Sequence, residues 1–156
     1  MLLVDDAEKQ QVLKKLNRFF DLDSYRDFTV LSFEDFVSKY GHYGFSFRNF
    51  LQVRFENEAD ILKEFCNFLP QAVHYLIPIT DANELFKLPS GDIEVFLNQH
   101  KISDFILADL KLTWVVVYDR HRNLTGLGAY IKKKMQRNIN LRFGDTKIMF
   151  QTAPAR

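Results

Sequence analysis

Tyr118-Asp119-Arg120-His121-Arg122-Asn123 sets a carboxylate beside an imidazole and two guanidiniums. Groups of this kind bind anions through charge-assisted hydrogen bonds, and an imidazole oriented by a carboxylate can serve as a general base. A second tract, Lys132-Lys133-Lys134 followed by Arg137 and Arg142, has the charge to track a phosphate backbone, with Tyr130 and Phe143 as rings on which bases stack. Asp119, Arg120, His121, Arg122, Lys132, Lys133, Lys134 and Arg137 are therefore the candidate partner- or anion-binding residues. Asp, Arg, His and Asn are also what an exposed turn contains, and a lysine run is commonly a solvated face, so the spacing favours a turn over a catalytic site.

Other chemistries find little support. Gly126-x-Gly128 and Gly41-x-x-Gly44 lack the further glycines and the lysine of a phosphate cradle. Cys66 is the only cysteine, which rules out an internal disulfide and a thiolate zinc site and favours a reducing, cytoplasmic setting. It sits in a phenylalanine-rich helical pattern beside Asp60 and Glu64, acids that disfavour a thiolate, and it reads as a structural thiol. His42, His74, His100 and His121 form neither an i, i+4 pair nor a His-x-His, so no preassembled metal site can be read from spacing, and no cofactor is expected. An enzyme is not expected.

The formal net charge of +1 conceals a strong asymmetry. Residues 120–156 hold nine Lys/Arg against one acid, Asp145, an excess of eight positive charges that leaves residues 1–119 with an excess of seven negative ones. Such a division makes two differently charged surfaces unless the halves neutralise each other within the fold. The recognised fingerprints of RNA- and DNA-binding folds are missing, so nucleic acid is the alternative to a protein partner.

These residues must be held by elements that the patterning outlines. With 156 residues, 47% hydrophobic and 26% charged, the chain suits a single domain, residues 1–156, and its 16 Phe foretell a core of flat rings. Phe105–Ala108 and Thr113–Tyr118 read as an antiparallel hairpin turning at Asp109–Lys111. Trp114-Val115-Val116-Val117 has no polar break, which places this strand at the centre of the sheet with both faces covered. Asp5 or Asp6 caps a helix with Val12, Leu13, Leu16, Phe19 and Phe20 on one face. Ser32 caps a second, Phe33–Tyr40, stopped at Gly41.

A short strand is expected at Phe28–Leu31 and another at Leu51–Phe55. A third helix follows, with Ile61, Leu62, Phe65, Phe68 and Leu69 inward, and then a strand over Ala72–Ile79 with Pro78 at its edge or end. Short helices are expected at Ala82–Phe86, capped by Asp81, and at Asp92–Gln99. Ala129–Asn138 reads either as a strand ending at Ile131 or as a basic helix, and Ile139–Phe143 with Lys147–Gln151 as a terminal hairpin. The fold class is thus α+β, a mainly antiparallel sheet of about five or six strands with helices packed on it, most of them in the N-terminal two thirds. Met1-Leu2-Leu3-Val4 is too short for a signal h-region, and no apolar run approaches the roughly 20 residues of a spanning helix, so neither secretion nor a membrane partner is expected.

The order Asp104-Phe105-Ile106-Leu107, a short polar interval, Trp114-Val115-Val116-Val117, then His121 and a hydrophobic stretch ending at Gly128 resembles a pattern in small bacterial immunity-type proteins that accompany toxins. The resemblance spans Ile102–Gly128 and rests on a fold-forming hairpin. Such hairpins often carry two adjacent histidines, where this chain has Arg120-His121. The resemblance implies a non-enzymatic inhibitor that binds and blocks one protein, with a toxin domain as the partner it suggests, and it implies no catalytic residue.

Overall fold

The computed structural model describes residues 2–20, 32–43, 49–54, 65–67, 69–80, 82–142 and 147–151. In chain order these form β1 (Leu2–Leu3), α1 (Asp6–Leu16), α2 (Phe33–Tyr43), β2 (Phe50–Arg54), β3 (Val73–Pro78), β4 (Phe86–Pro89), α3 (Ser90–Gln99), β5 (Phe105–Asp109), β6 (Val115–Tyr118), β7 (Asn123–Leu127), α4 (Ala129–Arg142) and β8 (Lys147–Gln151). All strand pairs are antiparallel, in the order β1-β4-β3-β5-β6-β7-β2-β8. The chain is an α+β domain with a mainly antiparallel sheet and most of its described helices before residue 100, as expected. β1 is a two-residue edge strand.

The sheet is the middle of three layers, because its inner strands alternate large apolar residues to both sides. Leu76, Phe105, Leu107, Val116, Tyr118 and Leu124 join Phe65, α3 and the start of α4 in one apolar cluster. Tyr75, Ile77, Ile106, Ala108, Val115 and Val117 join α1 and α2 in the other. All four residues of β6 are buried, and β6 lies between β5 and β7 near the middle of the sheet, as the unbroken valine run predicts. Trp114, just before it, is 3% exposed and is core.

Local chemistry accounts for the helix starts. The Asp5 carboxylate accepts the Glu8 backbone N–H at 2.9 Å, and the Ser32 hydroxyl oxygen accepts that of Asp35 at 3.1 Å, so both expected caps form. Val12, Leu13, Leu16 and Phe20 are buried under α1, and Ile93, Phe96 and Leu97 under α3. Glu8 further joins α1 to the sheet by accepting the Tyr75 hydroxyl at 2.6 Å and pairing with Lys87 at 2.7 Å. Pro78 closes β3 beyond the reach of β4, whose pairing stops at Leu76, so its missing N–H leaves no gap in that ladder.

Three expectations need correction. Gly41 does not stop α2, which continues to Tyr43. No helix forms over 82–86: Asn83 adopts a positive φ of 54°, and Phe86 and Leu88 then alternate with Lys87 as a strand, filling one face beside β3. The terminal hairpin is absent, because Ile131 and Met135, four residues apart, are both fully buried and α4 carries its helical period on through Arg142. Lys147–Gln151 is a strand, but its partner is β2. The expected strand at Phe28–Leu31, the last residue of the expected strand Leu51–Phe55, and residues 56–64 and 68 of the expected third helix lie outside the described residues. Residues 65–67 are helical, and Phe65 and Leu69 are buried.

Candidate partner-binding surface

Asp119, Arg120, His121 and Arg122 form the connection between β6 and β7. Asp119 builds it: Oδ1 accepts the backbone N–H of His121 at 2.8 Å and of Asn123 at 3.1 Å, and Oδ2 accepts the Asn123 side-chain amide at 3.1 Å. The Arg122 N–H returns to the Asp119 carbonyl at 3.0 Å, and Arg122 takes a φ of 65° to close the turn. This is an Asx-type turn, in which the carboxylate substitutes for a backbone acceptor. Its contact with His121 runs through the backbone, and the His121 residue is exposed.

Arg120 reaches sideways to the residue before β5. Its Nε and Nη2 both lie 3.3 Å from Oδ2 of Asp104, which is largely buried, while Oδ1 of Asp104 has no partner. From α2, Tyr40 faces the same end of the sheet, and its hydroxyl is pushed well above the usual phenol range by burial, then by the charges of Asp119 and Asp104. The sequence carries no local signal for Asp104 or Tyr40 at this place, because strand pairing and the α2 crossing bring them there.

The basic tract is a helix. Gly128, at φ 99°, ends β7, and a Cβ there would stand 2.6 Å from the Thr113 carbonyl oxygen and 2.9 Å from the Trp114 Cα. α4 starts immediately after this close approach and lays Ile131 and Met135 over Gly126. Lys132 is used structurally, donating to the Asn49 carbonyl at 3.0 Å just ahead of β2. Tyr130, Lys133, Lys134 and Arg137 recur at three- and four-residue spacing and share a side of the helix away from that buried pair. Tyr130 is 45% exposed, Lys133 and Arg137 are exposed, and the Lys134 ammonium stands 5.8 Å from the Tyr130 ring centre.

The turn and α4 leave β7 from opposite ends. Lys147 pairs with Arg54, and Arg54 with Asn123, so the chain must return along α4 to the turn's end of the sheet before β8 begins. Topology thereby gathers Arg54, Arg120, Arg122 and the backbone of Lys147 at one end of the sheet, with α4 leading toward it.

Among the described residues, no three of His, Cys, Asp and Glu gather as a metal-binding group, and no helix is long and apolar enough to cross a membrane. Burial, with Glu94 nearby, pushes the Cys66 thiol up to about 12, which holds it protonated and suits a structural role. Comparison with protein-family models, with curated proteins and with solved structures found no match to this chain.

Proposed function

We propose that this chain is a non-enzymatic binding protein that docks an acidic protein partner on the exposed face of α4, and that it acts as a cytoplasmic immunity protein occluding a toxin domain. One observation carries the reading: α4 presents Lys133, Lys134 and Arg137 beside a half-exposed tyrosine and contains no acidic residue. The first turns of α1, α2 and α3 hold acids that suit the helix dipole, and α4 has none there. Its like charges at i, i+3 and i, i+4 weaken a helix by about 0.2–0.5 kcal/mol per pair. Lys133 and Arg137, both exposed, are the charges a partner would meet first. Tyr130 then supplies a rigid aromatic anchor and the cations supply encounter rate and selectivity. The hairpin resemblance supplies the toxin as the partner class.

A second reading has the same stripe bind single-stranded nucleic acid, with a base stacked on Tyr130. The two separate in solution. The protein mixed with the product of its adjacent gene should co-elute from size-exclusion chromatography as one complex, and separate elution would count heavily against the immunity reading. A labelled single-stranded oligonucleotide that binds at low salt and weakens steeply as salt rises would favour the nucleic-acid reading instead.

A further inference from the structure

Behind Trp114, the core residue that meets Tyr130 of α4, lies a histidine that the docking face does not itself use. His74, on β3, is 1% exposed, and neither of its ring nitrogens has a hydrogen-bond partner. It packs against Trp114, with 5.5 Å between ring centres, and Trp114 lies 6.5 Å from Tyr130. Three rings therefore run from the core to the exposed side of α4. An imidazole in such a place is held neutral, since the charged ring would lose nearly all of its hydration. Burial lowers its pKa from the ordinary 6.5, opposed in part by the backbone of Ala72, toward which the ring is directed, and then by the Asp109 carboxylate.

The surroundings decide what a proton would do. β4 sets Leu88 opposite His74, α3 turns Ile93, Phe96 and Leu97 onto this face, and α4 contributes Tyr130 with the Lys134 ammonium beyond it. The neighbouring carboxylate is Asp109, the cross-strand partner of His74 on β5. Asp109 is already engaged: Oδ1 accepts the Thr113 N–H at 2.7 Å and the Trp114 N–H at 3.1 Å, and Oδ2 accepts the Thr113 hydroxyl at 2.5 Å. Those bonds hold the β5–β6 turn that seats Trp114. A charged His74 can recruit Asp109 only by undoing them.

We propose that His74 is a proton-operated latch, whose protonation parts the His74–Trp114–Tyr130 stack and frees the first turn of α4 from the sheet. The latch stands on this geometry alone. Its consequence, acid-triggered release of a bound partner, rests on the docking reading above.

Hydrogen exchange of the backbone amides of residues 130–135 tests it on the intact protein between pH 7.5 and 5.0, after division by the intrinsic exchange rate. Uptake of one proton on opening raises the opening constant about tenfold per pH unit below 6.5. His74→Phe keeps a ring at the site and should flatten that slope. A flat wild-type profile, or an equal slope in the variant, overturns the latch. Should the variant not fold, the wild type is sufficient, because Trp114 is the only tryptophan and its parting from His74 and Tyr130 exposes the indole to water and red-shifts its emission. A one-proton shift with its midpoint below 6.5 is expected, and emission unchanged down to pH 4.5 would overturn the proposal. Charge reversal on α4, assayed at pH 7.5 where the latch is closed, tests the docking reading separately.

Discussion

The ring of Tyr130 on α4 lies 6.5 Å from that of Trp114, at an angle of 31°, so the exposed face of the helix is seated on a residue of the core. The two rings are one contact with two roles: Trp114 is 3% exposed and Tyr130 is 45% exposed. Stability and recognition should therefore separate between them.

Trp114→Ala removes a buried aromatic and should cost about 3–5 kcal/mol, measured by urea unfolding. Tyr130→Ala should cost under about 1 kcal/mol, since much of its ring already meets water, yet it should weaken partner binding as the loss of an aromatic anchor does. Equal losses of stability would show that the ring is held as core.

Gly128→Ala should destabilise the domain by at least about 1 kcal/mol, because it combines a positive φ with a Cβ driven against the Thr113 carbonyl and the Trp114 backbone. Gly91, where a Cβ would meet nothing within 4 Å, supplies the control within α3. Gly91→Ala should be neutral or stabilising in the same denaturation experiment.

Asp119→Ala should cost about 1–2 kcal/mol by removing the acceptor of three hydrogen bonds that shape the β6–β7 turn. His121→Ala, at an exposed position on the same turn, should fall within about 0.5 kcal/mol of the wild type. Thermal melts of both variants decide whether the carboxylate is an architect of the turn. An Asp119 variant as stable as the wild type would contradict that role.

The pH dependence of stability follows from His74. Its folded pKa is lowered below the ordinary 6.5, so below that value the unfolded chain takes up a proton that the folded chain refuses. The contribution of His74 is full above about pH 6.5 and is lost as pH falls toward the folded pKa, at about 1.4 kcal/mol per pH unit. Urea unfolding free energies at pH 7.5 and 5.5 should differ more for the wild type than for His74→Phe. Equal differences would contradict the assignment.

Much of the frame was legible because its signals are local. The faces of α1 and α3 follow the 3.6-residue period, and the valine run of β6 announces a strand covered twice. What escaped depends on distant partners. Ala82–Phe86 suits a helical turn as well as a strand, and pairing with β3 decides for a strand that begins at Phe86. Ile139 continues the four-residue spacing of Ile131 and Met135, but its neighbourhood also alternates as a hairpin would, and only the stop at Gly128 and the seat over Gly126 commit it to helix. Of the candidate site, the Asp119–Arg122 turn could be read from composition. The approach of Asp104 to Arg120 and the stacking of His74 under Trp114 could not, since each depends on strand register.

The central claim is that α4 docks an acidic partner, and isothermal titration calorimetry with the product of the adjacent gene tests it most directly. Lys133→Glu, Lys134→Glu and Arg137→Glu combined should leave the circular-dichroism spectrum unchanged and weaken binding by at least about a hundredfold, roughly 2.7 kcal/mol. A complex of undiminished affinity in the reversed variant would contradict the claim.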